Sequence, residues 1–194
     1  MTEKGILIIV SAPSGCGKST VLHRLMEKRD KLCFSVSATT RAPREGERDG
    51  VDYFFISREQ FDAMIARNEF LEHAEYVGNC YGTPKAAVDA KLAQGFDVYL
   101  DIEVQGAMQV MAQRPETLTI FLMPPSMAEL ERRLRLRGTD SPAVIRQRLR
   151  AAKRECAKRG AFAHVVVNDE VERAVDEISA LIDAQKQKNI QNAD

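Results

Sequence analysis

A short apolar run, Gly5-Ile6-Leu7-Ile8-Ile9-Val10, feeds into Ala12-Pro13-Ser14-Gly15-Cys16-Gly17-Lys18-Ser19, after which Val21, Leu22 and Leu25 recur at helical spacing. The run is continuous and β-branched, as expected of a strand buried on both faces. A strand, a glycine-containing turn ending in Gly-Lys-Ser and then a helix is an arrangement that cradles phosphates. Glycines let backbone N–H groups converge on phosphate oxygens, and the helix N-terminus adds the positive end of its dipole. Lys18 then reaches the outer phosphates of a nucleoside triphosphate, and the Ser19 hydroxyl is a ligand for Mg²⁺. The strict pattern has Gly where this chain has Ala12; a β-carbon is tolerated there if φ stays negative. The motif says nothing about the fate of the phosphate.

At 194 residues the chain fits one large domain, or a core carrying inserted subdomains. Its 44% apolar and 29% charged residues are ordinary for a globular protein. The net charge of zero gives no reason to expect a polynucleotide or an anionic membrane as partner. The N-terminal apolar run is too short to span a bilayer and is broken by Pro13-Ser14-Gly15, so a cytoplasmic protein is expected. Cys16, Cys33, Cys80 and Cys156 are too widely spaced for a zinc site or a disulfide framework. Cys16 has two readings: a thiolate favoured by the surrounding N–H donors and open to oxidation, or a small residue filling a variable loop position.

Capping chemistry marks the helices. Ser57-Arg58-Glu59-Gln60 and Ser126-Met127-Ala128-Glu129 read as capping boxes. Thr83-Pro84 reads as a cap followed by a first-turn proline, with Gly95 as the stop; Ser141-Pro142 opens another helix, running to about residue 160. Asp169 is expected to cap the last helix, whose polar end from Lys186 is expected to fray. Further buried strands are expected at 98–101, 118–122 and 164–167. Strands alternating with helices predict an α/β fold with a parallel sheet and ligands at the strands' carboxyl ends. Two stretches interrupt that alternation: 35–83, with short alternating strands, and 126–157, an arginine-dense helical pair.

The first of these carries Arg41 and Arg44, whose fork-shaped guanidinium groups suit a phosphate, and tyrosines that add neutral donors. Two arginines alone also describe a solvated face. Here, however, the chain closely resembles the guanylate kinases, nucleoside-monophosphate kinases that phosphorylate GMP using ATP. The matching phrases are Ser-Ala-Pro-Ser-Gly-x-Gly-Lys-Ser (11–19), Ser-Val-Ser-x-Thr-Thr-Arg-x-Pro-Arg-x-Gly-Glu (35–47), Phe-Leu-Glu-His-Ala-Glu (70–75), Asn-x-Tyr-Gly-Thr (79–83) and Leu-Asp-Ile-Glu-Val-Gln-Gly (100–106). Phe-Leu-Met-Pro-Pro-Ser (121–126), Arg-Gly-Thr (137–139) and Val-Val-Asn-Asp (166–169) follow in family order. Alanine at the first loop position is itself common in that family.

The resemblance implies a P-loop kinase core (1–34, 84–125 and 158–194), a mixed α/β GMP-binding insert (35–83) and a helical lid (126–157). It implies that Ala12, Pro13, Ser14, Gly15, Cys16, Gly17, Lys18 and Ser19 bind ATP together with Arg133, Arg137 and Asn168. Arg41, Arg44, Tyr53 and Tyr81 would bind the GMP phosphate, and Ser37, Glu72, Thr83 and Glu103 would read the guanine. Chemistry agrees: the N1–H and N2 amine of guanine suit carboxylates, and O6 suits a hydroxyl donor. Glu103 stands where many members have Asp, which shifts its reach. Asn168 has a second reading, as a helix cap.

Lys18, Arg41, Arg137 and Arg148 form the expected catalytic set, with Arg132 and Arg135 pairing to Glu129 and Glu131 on the helix surface. Asp101 is expected to position Mg²⁺ waters or the GMP-side network. Mg²⁺ through Ser19 is the expected metal, and ATP with GMP or dGMP the expected partners, without nucleic acid, membrane or an obligate protein. Two other readings use such features: a non-catalytic phosphopeptide-binding module of the same fold, and a P-loop kinase of another small phosphorylated acceptor. The intact Gly17-Lys18-Ser19 disfavours the first, and the combination of Ser37, Glu72 and Tyr81 disfavours the second.

Overall fold

The computed structural model describes residues 4–138 and 140–191. Thr139 of the Arg-Gly-Thr phrase and the chain ends assigned above to the core, 1–3 and 192–194, lie outside the described residues.

The chain opens with β1 (Leu7–Ser11), α1 (Lys18–Lys28), β2 (Leu32–Phe34), β3 (Ala38–Thr39), β4 (Phe54–Phe55) and α2 (Arg58–Ala66). There follow β5 (Phe70–Tyr76), β6 (Asn79–Pro84), α3 (Lys85–Ala93), β7 (Asp97–Asp101) and α4 (Val104–Gln113). β8 (Leu118–Met123), α5 (Met127–Leu136), α6 (Pro142–Ala157), a short 3₁₀ turn, β9 (His164–Val167) and α7 (Val171–Gln191) complete it.

A five-stranded parallel sheet of order β2-β7-β1-β8-β9 forms the core. Every residue of β1 is buried. Ile8 and Val10 pack with Val21, Leu22 and Leu25 of α1 and Val175, Ile178 and Ile182 of α7. The alternate residues, Leu7 and Ile9, pack on the other face with Val88 and Leu92 of α3 and Val104, Ala107 and Val110 of α4. A strand covered on both faces has no use for polar alternation, which is why its sequence is a continuous apolar run. Truncating Ile8 or Ile9 to alanine is worth about 2–5 kcal/mol of destabilisation. The parallel register aligns Val10 with Asp101, Ser11 with Phe121 and Met123 with Val167. The loops after β1, β7 and β9 therefore leave from one edge.

A second sheet, β4-β3-β6-β5, is mixed, with β3 and β4 parallel and the other pairs antiparallel. β5 and β6 meet at a two-residue turn, Val77-Gly78, in which both residues have positive φ, the geometry that matches strand twist in a hairpin.

Several local expectations need correction. Thr83 does not cap α3: it ends up inside β6, and Pro84 is the cap residue. Only half of the capping box at Ser126 forms: its Oγ accepts from Glu129 N–H, while the Glu129 carboxylate is taken by Arg132 and Arg133. The box at Ser57 is complete. α7 does not fray at Lys186 but continues to Gln191, and Lys186 Nζ reaches the buried Asp97 carboxylate at 3.3 Å. β2 was not expected at all; three residues are too few to show a period.

Candidate active site

The turn between β1 and α1 is held by Cys16 N–H donating to the Pro13 carbonyl at 3.1 Å. Gly15 and Gly17 take φ of 91° and 92°, a region L side chains avoid. Sterics point the same way: a β-carbon on Gly15 would lie 2.7 Å from Leu134 Cδ2, and one on Gly17 2.7 Å from Asn168 Nδ2. Ala12 is not among the positive-φ residues, so its β-carbon is accommodated as expected. α1 begins from Gly17 with no side-chain cap and no acidic residue in its first turn. Its first N–H groups are thus left for an outside acceptor, and the helix dipole favours an anion.

These residues line a cleft of about 310 Å³, closed on its other sides by Glu103, Val104, Arg137 and Glu155. Lys18 Nζ forms an ion pair with Asp101 Oδ1. Glu155 has its carboxyl pushed above the usual range, first by burial and then by the charge of Glu103, against the pull of Ser14 N–H and Lys18. Glu103, expected at the guanine, lines this cleft as the residue preceding α4. Cys16 is only 1% exposed, and burial pushes its thiol up to about 12. That overturns the thiolate reading: the nearest acceptor of its Sγ is a carbonyl, that of Leu122, at 3.5 Å.

The arginines of α5 and α6 divide by partner. Arg132 and Arg135 pair with Glu129 and Glu131, as expected of a solvated face. Arg133 instead faces inward, donating from Nε to Glu129 at 2.8 Å, from Nη1 to the Cys16 carbonyl at 3.2 Å and from Nη2 to the Asn168 carbonyl at 3.0 Å. Asn168 does not cap a helix; it is 2% exposed and donates from Nδ2 to the same Cys16 carbonyl at 2.7 Å. Its Oδ1 is buried without a hydrogen-bond partner. The phosphate loop is thus tied to α5 and to the end of β9 through one carbonyl. Arg148 donates to Ser14 Oγ at 3.1 Å and pairs with Asp140 at 3.3 Å.

The second sheet gathers the other expected residues. The Arg41 guanidinium lies 5.4 Å from the Tyr53 ring centre and 5.9 Å from that of Phe55, with the Tyr81 hydroxyl against it. Tyr53 and Tyr81 meet edge to face at 6.1 Å. The Arg44 side chain is exposed, and the half-buried Ser37 accepts Phe54 N–H on its carbonyl. Glu72 is 7% exposed, and burial pushes its carboxyl up. Thr83 Oγ1 donates to Glu72 Oε1 at 2.7 Å. That bond uses the single proton of the hydroxyl and orients the carboxylate. Glu72 Oε2 lies 2.9 Å from where a Gly106 β-carbon would sit. The first turn of α4 therefore separates Glu72 on one side from the phosphate cleft on the other.

Sequence reasoning assigned no role to Glu155 or to Glu47, the last residue of the Arg41–Arg44 phrase. The signal for Glu155 is tertiary: the docking of α6 turns this residue into the cleft. For Glu47 a local signal existed: a carboxylate six residues after Arg41, across a turn containing Pro43 and Gly46.

The guanylate kinase family model matches residues 4–185. The chain is 52% identical over 189 residues to a guanylate kinase of Bacillus subtilis (strain 168), covering 97% of this chain and 93% of the relative. It is 54% identical over 183 residues to one of Halalkalibacterium halodurans, covering 94% and 90%. The crystal structure of guanylate kinase from Anaplasma phagocytophilum superposes with a TM-score of 0.72 at 36% identity, covering 95% of this chain and 87% of that one. With an open helix N-terminus behind Lys18 and a buried carboxylate beside α4, the chain belongs to the guanylate kinase family.

Proposed function

We infer that the protein transfers the terminal phosphoryl group of ATP to GMP, and to dGMP, within the cytosol, with residues 35–83 as the acceptor-binding insert and 126–157 as the lid. The observation that carries the choice of acceptor is Glu72, a buried carboxylate whose donors among the described residues are the hydroxyl and backbone N–H of Thr83. Guanine brings two donors to it; adenine would present an acceptor at N1 and leave the carboxylate unpaired, a discrimination of roughly 10⁴-fold.

Backbone N–H groups of Gly15 to Ser19 and Lys18 hold the triphosphate, while Arg41, Arg44, Tyr53 and Tyr81 hold the GMP phosphate. A GMP phosphate oxygen, already anionic, attacks the γ-phosphorus as the bond to the β–γ bridging oxygen breaks and ADP leaves. No general base is required. Arg137 and Arg148 supply positive charge where it spreads over the moving group, and closure of the lid excludes water. Ser37 completes the acceptor side, and Glu103 borders the phosphate cleft from the start of α4.

The donor set suits Mg²⁺. Ser19 presents a hard oxygen in the cleft, and among the described residues no cluster of three or more carboxylate, imidazole or thiol groups forms a cage. Mg²⁺ prefers few protein ligands alongside substrate phosphates and water. When bound, it neutralises charge on the β- and γ-phosphates.

A coupled assay of ADP formation with GMP, dGMP, AMP, UMP and CMP tests the reading. Turnover with the guanine nucleotides alone is expected. Failure to turn over GMP overturns it.

A further inference from the structure

Two arginines, Arg41 and Arg44, sit three residues apart in an exposed loop, and without a partner their side chains would repel and wander. Glu47 partners the Arg41 guanidinium and the Arg44 backbone. Both of its carboxylate oxygens accept from Arg41 Nη2, at 2.8 and 3.0 Å, and Oε2 also accepts from the Arg44 backbone N–H at 2.7 Å. Glu47 N–H closes the turn on the Arg44 carbonyl at 3.1 Å, with Gly46 at φ 86°. Arg41 Nη1 donates to the Ala42 carbonyl at 2.8 Å, and the guanidinium lies over Tyr53. Both partners of the ion pair are mostly shielded, at 15% and 20% side-chain exposure. A guanidinium has five N–H groups; these contacts and the Tyr81 hydroxyl use at most four, so at least one remains for a ligand.

We propose that Glu47 is a positioning residue for the acceptor's phosphate: one carboxylate orients the Arg41 fork and fixes the Arg44 loop before the phosphate arrives. The proposal rests on the GMP reading above. It contrasts with a second arrangement open to an internal carboxylate, in which Glu47 occupies the phosphate's place and must be displaced. The geometry favours the first, because the same carboxylate also holds a backbone N–H and so belongs to the turn itself. Holding a charged side chain in its bound geometry reduces the ordering that binding must otherwise supply.

The test compares Glu47→Ala and Glu47→Gln with the unaltered protein, measuring equilibrium binding of GMP, guanosine and ATP, melting temperature and steady-state kinetics. GMP turnover by the unaltered protein checks the underlying reading separately. Glu47→Ala is expected to weaken GMP binding and raise KM for GMP by roughly tenfold, with guanosine and ATP binding unchanged. Glu47→Gln keeps an acceptor for the Arg44 N–H and is expected to recover part of the loss. Tighter GMP binding by Glu47→Ala would show an internal competitor and overturn the proposal. So would unchanged GMP binding, or equal losses for GMP and guanosine, which a general loosening of the loop would cause.

Discussion

The Lys18 ammonium is paired to the Asp101 carboxylate, joining the first residue of α1 to the last residue of β7 at the carboxyl edge of the parallel sheet. The register that sets Val10 beside Asp101 brings the two together. Asp101→Asn preserves shape but removes the charge that orients Lys18. We expect kcat to fall about 10- to 100-fold, the scale of a small misplacement of a group at the reacting atoms, with little change in melting temperature. Steady-state assays check this; an unchanged kcat would separate Asp101 from the action of Lys18.

Glu72 sets function against stability. Burial holds its carboxyl above the ordinary range, so the folded state binds a proton more readily than the unfolded chain does. Stability from this group therefore falls as pH rises from the ordinary carboxylate pKa through the raised one, and the penalty is fully present above it. Glu72→Gln removes that penalty. The variant is expected to melt about 2–4 °C higher near neutral pH, with the difference vanishing below pH ~4. Its kcat/KM for GMP is expected to fall about 100-fold. Calorimetric scans across pH, alongside kinetics, test both halves; a lower melting temperature at neutral pH would contradict the sign.

Arg133 and Arg137 lie four residues apart on α5 and its end but do different work. Arg133 gives one N–H each to Glu129, Cys16 and Asn168, whereas Arg137 lines the phosphate cleft. Arg137→Ala should lower kcat by about 100-fold or more while leaving GMP affinity and melting temperature nearly intact. Arg133→Ala should lower the melting temperature as well, and Arg133→Lys should not restore it, since an ammonium lacks the planar fork. Matching profiles for the two alanine variants would refute the division.

The cysteine in the phosphate loop should be chemically silent. With its thiol pushed up to about 12, Cys16 carries almost no thiolate at pH 8. Cys80 and Cys156 are also buried, and Cys33 is half-buried. In brief iodoacetamide labelling of the folded protein followed by mass spectrometry, Cys33 is expected to label first and Cys16 not at all. Rapid modification of Cys16 would contradict the burial argument.

What could be read from sequence follows from locality. The strand at β1, the turn at Gly15–Gly17, the caps at Ser57 and Ser141 and the stripe of α7 each express a short-range requirement: burial on two faces, positive φ, an unsatisfied N–H or a helical period. β2 escaped because three residues carry no period. Thr83 misled because a hydroxyl before a proline looks the same whether it caps a helix or, inside a strand, donates to a carboxylate. Cys16 misled because N–H donors close by in sequence suggest a stabilised anion, while its burial against Leu122 comes from a distant strand.

By itself, then, the chain determined its α/β class, the phosphate loop and the residue types gathered for a guanine nucleotide, since each is encoded within a few consecutive positions. Tertiary structure decided which polar groups distant in sequence become partners. Lys18 with Asp101, Arg133 with the Cys16 carbonyl and Glu72 with Thr83 are separated by 83, 117 and 11 residues. Coulomb and hydrogen-bond energies depend on distance through space, and the parallel register, the docking of α5 and the antiparallel pairing of β5 with β6 bring those partners within reach.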